Sequence, residues 1–169
     1  MSKVTSKMLL EDNEIYDEFV EVTLTHQGEE HVIKVYPFIS PVKVAEIVDQ
    51  VQDFLQNAYK EKLIIQESPA DLLAYFLVKN TTDVTFTRSK KVKSIYQEFK
   101  QLLHSKAFRL IVSTYPEATY TELNERVLQV NNFNSSLEAY EQVSKKAKQD
   151  FEGIKKLQDA RKKQEGEQN

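Results

Sequence analysis

Ser68-Pro69-Ala70-Asp71-Leu72-Leu73-Ala74-Tyr75-Phe76-Leu77-Val78 is the stretch on which the fold turns. Ser68 supplies a hydroxyl that can accept from the free N–H groups of a helix start. Pro69 suits the first helical position, where its missing N–H is not needed. Asp71 sits where a capping-box partner belongs. The seven residues from Leu72 to Val78 are apolar on every side. A helix without a polar face must be surrounded, so this one is predicted to form the middle of the core. Asn80-Thr81-Thr82-Asp83 then breaks it.

Working outward, Ser40-Pro41 repeats the same start signal, followed by Val44, Ile47, Val48, Val51, Phe54, Leu55 and Ala58 at helical spacing. Asp49, Gln50, Gln52 and Asp53 occupy the other face, which predicts an amphipathic helix of about 20 residues. Upstream, Val20, Val22 and Leu24 alternate with Glu21, Thr23 and Thr25 across Phe19 to Thr25, the period of a strand. His31 to Tyr36 reads as its partner, with His26 to Glu30 as a polar turn holding Gly28 and Pro37 ending the second strand. A lone hairpin is marginal in water, so its apolar face must pack on a helix or on another strand.

Downstream, three further helices are predicted. Ser89 precedes one carrying Val92, Ile95, Tyr96, Phe99, Leu102 and Leu103. Another runs from Ala107 to Thr114, closed by Tyr115-Pro116. A third starts at the capping pattern Thr119-Tyr120-Thr121-Glu122 and holds Leu123, Val127, Val130 and Phe133. The fold class expected is α+β, mainly α: an N-terminal β-hairpin, a compact bundle of about five helices, and a charged C-terminal helix or tail. The organisation expected is a flexible segment over 1–17, one globular domain over 18–140, and a charged helical or disordered tail over 141–169. Residues 144–169 carry eight basic and five acidic side chains, while their apolar stripe thins to Ala147, Phe151, Ile154 and Leu157. Such a segment can be helical yet bury little by itself.

Composition removes several function classes. The 169-residue chain has no Cys, so thiolate metal sites, disulfides and Cys nucleophiles are excluded. Its three glycines, Gly28, Gly153 and Gly166, are too far apart for a phosphate-cradling loop. No apolar run approaches the roughly 18 residues of a membrane span, and Met8-Leu9-Leu10 is too short for a signal peptide; the expected location is the cytoplasm. The net charge of -3 speaks against a dedicated nucleic-acid binder. His26, His31 and His104 show no metal-ligand spacing, and no nucleophile elbow is present. Neither a cofactor nor an enzymatic activity is expected.

Two segments remain as candidate partner-binding sites. Arg88, Lys90 and Lys91, with Lys93, cluster at a predicted helix start, where cations oppose the helix dipole; contact with an acidic partner would offset that, although a solvated charge run is the simpler reading. Phe151, Ile154 and Leu157 give the tail a half-amphipathic stripe able to seat in a partner's groove. The abundant Tyr and Phe side chains fall mostly on predicted buried stripes, which makes core packing their default role.

The order of hairpin (Glu21-Val-Thr-Leu-Thr to Ile33-Lys-Val-Tyr), helical segments with Leu72-Leu-Ala-Tyr-Phe-Leu-Val-Lys-Asn-Thr-Thr-Asp-Val84 and Tyr115-Pro-Glu-Ala-Thr-Tyr-Thr-Glu-Leu, and charged C-terminus resembles the small tail-assembly chaperones and related tail-region proteins of long-tailed phages and prophages of Gram-positive bacteria. The similarity covers residues 19–140. It implies a non-catalytic role in the host bacterial cytoplasm, with the long, helical tape-measure protein as partner. The tail-tube protein and a second copy of the chain are further candidates. A structural phage component, such as a head–tail connector or tail-completion protein, and a small regulatory binding protein are the alternatives.

Overall fold

In the computed structural model, residues 5–132 are described, together with Asn134, Lys145, Lys146, Gln149 and Glu152. The expected α+β, mainly α class is what the chain adopts. The hairpin consists of β1 (Val20–His26) and β2 (Glu29–Val35), antiparallel, in a register that pairs Val20 with Val35, Val22 with Ile33 and His26 with Glu29. Its turn is tighter than the polar run suggests. Only Gln27 and Gly28 lie between the strands, with φ of 52° and 84°, the doubly positive pattern of a two-residue turn whose twist matches that of the strands. Each strand is therefore extended into the stretch expected to be loop.

Only the base of the hairpin is packed. Val22 and Val35 are buried and Leu24 and Ile33 half-buried, while every residue from Thr25 to Val32 is exposed. The outer edge of β2 is held by the segment that follows the central helix. The Tyr36 N–H donates to the Thr81 carbonyl at 2.9 Å, the Asp83 N–H to the Lys34 carbonyl at 3.3 Å, and the Lys34 N–H to Asp83 Oδ1 at 3.0 Å. Thr81 to Asp83 thus ends the helix by becoming a short pairing partner for β2, a role its run of turn-forming residues does not announce.

Five helices follow the hairpin among the described residues. α2 (Pro41–Lys60) and α3 (Pro69–Thr81) start at the predicted caps: Ser40 Oγ accepts from the Lys43 N–H at 3.2 Å and Ser68 Oγ from the Asp71 N–H at 3.1 Å. Ser68 also donates to Asp71 Oδ2 at 2.7 Å, so the capping arrangement is closed from both sides. Leu72 to Val78 are all buried, which places α3 at the centre. α4 (Val92–Leu103) begins at Lys91, whose side chain makes no cap; α5 (Lys106–Val112) is capped by Ser105, which accepts from the Phe108 N–H at 3.3 Å. α6 starts at residue 117, directly after Pro116 and before the expected Thr119. Thr119 lies inside it and is buried, and its hydroxyl donates to the Pro37 carbonyl at 2.7 Å.

Preceding the hairpin, where no element is predicted, lie α1 (Ser6–Glu11), capped by Thr5, and a 3-10 helix over Asp12–Asp17. Neither contributes a buried residue.

The core joins α2, α3, α4 and α5, with α5 also against β1. Tyr75, Phe99, Ile47, Leu77, Leu123, Val35, Val48 and Val78 are its most fully enclosed side chains. Each contributes about 1.5–3 kcal/mol by leaving water. Tyr115, also buried, donates its hydroxyl to Thr81 Oγ1 at 2.6 Å, because the Thr81 proton is already committed to the Leu77 carbonyl at 2.7 Å. The chain divides into two compact units, Met1–Val127 and Leu128–Asn169. Residues 128–132 of the second are helical, and Leu128 is exposed.

Candidate functional site

The polar face of α2 does not simply meet solvent. Gln50, Asp53 and Asn57 recur one turn apart along it, and together with Phe54 they form one wall of a cleft of about 530 Å³. Phe76 and Lys79 of α3, residues Thr87 to Lys90, and Val92 and Ile95 of α4 complete the lining. The floor is aromatic and aliphatic: the rings of Phe54 and Phe76 stand 5.8 Å apart, centre to centre. Gln50 is fixed by a reciprocal amide pair with Asn80, both bonds at 3.0 Å, and Asn80 also donates to the Phe76 carbonyl at 2.7 Å. Gln50 on that side of the cleft is therefore held in one amide orientation.

The opposite rim is basic and is built from the core outward. Tyr75, fully enclosed in α3, donates its hydroxyl to Glu98 Oε1 at 2.6 Å, and the Thr87 N–H donates to Glu98 Oε2 at 2.7 Å. Burial, reinforced by the Glu98 carboxylate, raises the Tyr75 pKa far above its ordinary value, so the phenol remains a donor throughout the physiological range. From Thr87 the chain continues in two hydroxyl turns. Thr87 Oγ1 accepts from the Ser89 N–H at 3.3 Å, and Ser89 Oγ from the Lys91 N–H at 3.2 Å. This alternation turns Thr87 and Ser89 inward and leaves Arg88 and Lys90 exposed. Lys79 joins them, its Nζ 5.9 Å from the ring centres of both Tyr75 and Phe76.

The lining thus holds three cations and one carboxylate, Asp53. Among the described residues the one ion pair is Lys43 to Glu46, at 2.6 Å on α2. Arg88, Lys90 and Lys79 are consequently uncompensated by salt bridges. A cleft with an apolar floor, two side-chain amides and a cationic rim suits an occupant that offers apolar side chains flanked by carboxylates.

Of the residues singled out in the sequence, Arg88 and Lys90 line this cleft, whereas Lys91 stands at the start of α4 outside its lining. Phe151, Ile154 and Leu157 lie outside the described residues. Sequence reasoning missed Gln50, Asp53, Asn57 and Lys79. The signal for the first three was their common helical spacing, masked by their polarity, and for the turns the alternation Thr87-Arg88-Ser89-Lys90. No group of three or more metal-ligating side chains occurs among the described residues, and no helix among them is long and apolar enough to cross a membrane.

A family model described as YomO matches residues 7–168 of the chain. No curated protein and no solved structure matches it.

Proposed function

Because the chain belongs to the YomO family, whose name is of a Bacillus phage and prophage type and associates the chain with phage, we propose that it is a non-catalytic phage protein that holds another polypeptide during tail assembly, as a tail-assembly chaperone in the host cytoplasm. The single observation that supports this reading is the cleft between α2, α3 and α4. Its floor of Phe54, Phe76 and Val92 is almost wholly buried and leaves the half-buried Ile95 for apolar contact, and its rim of Lys79, Arg88 and Lys90 offers charge. An amphipathic helix with carboxylates beside its apolar stripe matches both features. A tape-measure protein, which presents long helical stripes until tail-tube subunits enclose it, is the partner this fits. Binding there is by side-chain burial and charge complementarity, and no bond is made or broken.

Co-expression with the tape-measure protein of the same phage or prophage is expected to give a co-purifying complex. Arg88→Glu together with Lys90→Glu is expected to disrupt it, and Lys91→Ala to leave it intact. A tape-measure protein that binds wild type and the cleft variant equally well would refute the assignment. Recovery of the chain from purified virions in fixed copy number would instead make it a structural component of the particle.

A further inference from the structure

The segment ahead of the hairpin has the chemistry that the cleft lacks. Residues 11–18 hold Glu11, Asp12, Glu14, Asp17 and Glu18, all exposed, and no basic side chain. Around them Met8, Leu9 and Leu10 are 50%, 61% and 66% exposed and Ile15 is 38% exposed. α1 packs on the adjoining 3-10 helix and neither fully buries a residue, while Tyr16 of the latter is half-buried beside Tyr36, Phe38 and Ile39. A cap from Thr5 nevertheless holds α1 in helical form. A short helix with a bare apolar cluster followed by a 3-10 helix rich in carboxylates, and a cleft with a cationic rim, are complementary surfaces carried by the same chain.

We propose that the acidic N-terminal arm, residues 6–18, docks in the α2–α3–α4 cleft of a second copy of this chain. Leu9, Leu10 and Ile15 lie over the half-buried Ile95, and the arm's carboxylates face Lys79, Arg88 and Lys90. The arm is a stand-in for the tape-measure helix, so this inference rests on the reading of the cleft as the partner-binding site. It adds a regulation to that site: the free protein covers its own binding surface by self-association, and an incoming helix must displace the arm. Exchange of arms between two chains closes a dimer, and one-way docking gives a ring or a chain of subunits.

The test is a charge swap in the full-length protein, read as mass by sedimentation between about 1 μM and about 1 mM, the range of a weak interface. Wild type is expected to associate with rising concentration, and less so in about 1 M salt, where the screening length falls to about 3 Å. The arm variant Glu11→Lys/Asp12→Lys/Glu14→Lys and the cleft variant Arg88→Glu/Lys90→Glu are each expected to associate at least tenfold more weakly. Mixed together, they are expected to regain association, because each reversed surface then meets an opposite charge on the other chain. Unchanged circular dichroism of both variants verifies folding. Wild type of single-chain mass at every concentration overturns the proposal, as does a mixture that stays monomeric. A monomeric wild type that still binds the tape-measure protein through the cleft would sink self-docking alone. Self-association that obeys the swap beside a tape-measure protein indifferent to the cleft would instead sink the chaperone reading.

Discussion

Replacing Glu98 with alanine removes both acceptors that tie the basic rim to the core. One is the partner of the wholly buried Tyr75 hydroxyl, at 2.6 Å, and the other that of the Thr87 N–H, at 2.7 Å. A buried hydroxyl left without a partner costs about 1–3 kcal/mol, and the half-buried amide, which water can reach, about 0.5–1 kcal/mol. The expected loss is therefore about 1.5–4 kcal/mol, a drop in Tm on the order of 10 °C for a domain of this size. Tyr75→Phe removes only the donor and is expected to cost about 1 kcal/mol. Because the orphaned phenol is the main penalty in Glu98→Ala, adding Tyr75→Phe to it is expected to cost nothing further, giving a coupling of about 1 kcal/mol in the double-mutant cycle. The chain contains no Trp, so calorimetry or far-ultraviolet circular dichroism is the appropriate assay. Hydrogen exchange at residues 87–91 provides a second readout and is expected to accelerate in Glu98→Ala. A loss below about 0.5 kcal/mol, or singles that simply add within about 0.3 kcal/mol, would refute the rim's dependence on this carboxylate.

Other expectations follow from the same structure. Gly28→Ala is expected to cost about 1–2 kcal/mol through backbone conformation alone, since φ is +84° and nothing lies within 4 Å of an added Cβ; Gln27→Gly, which relaxes a non-glycine φ of 52°, is expected to raise Tm slightly. Thr119→Val keeps the shape of a buried residue but strips the Pro37 carbonyl of its 2.7 Å donor, with an expected loss of about 1–3 kcal/mol by thermal melt. Burial raises the pKa of Tyr75, Tyr115 and Tyr120 above the ordinary 10.0. The folded state thus retains these protons at pH values where the unfolded chain releases them. Their contribution is present in full below pH of about 10 and falls as pH climbs above it; Tyr75→Phe and Tyr115→Phe are expected to flatten the decline in Tm above pH of about 10.

Periodicity and caps made much of this architecture legible before any coordinates. Ser40-Pro41 and Ser68-Pro69 announce α2 and α3 because a hydroxyl cap followed by proline has few other uses, and Leu72 to Val78 can only be central. What escaped notice depends on partners distant in sequence. Thr81 to Asp83 reads as a helix stop, and only the hairpin, some fifty residues earlier, gives its N–H and C=O groups somewhere to bond. Thr119 looks like a cap and acts as a tether, since Pro116 lets the helix begin sooner. The short arm lacks the length for a clear period, and its cap on Thr5 is local. In the cleft, Arg88 and Lys90 stand out as charges, whereas Glu98, which positions them, is one carboxylate among many until its two donors are seen.

The hairpin leans on residues made much later. β2 borrows its outer bonds from Thr81 to Asp83, and the Pro37 carbonyl waits for Thr119. A chain emerging from the ribosome therefore exposes an unsupported two-stranded ribbon and a half-covered α2 until Thr119 has been synthesised. A nascent chain truncated before Thr119 is left without the hydroxyl that ties the hairpin's exit at Pro37 to the helix after Pro116.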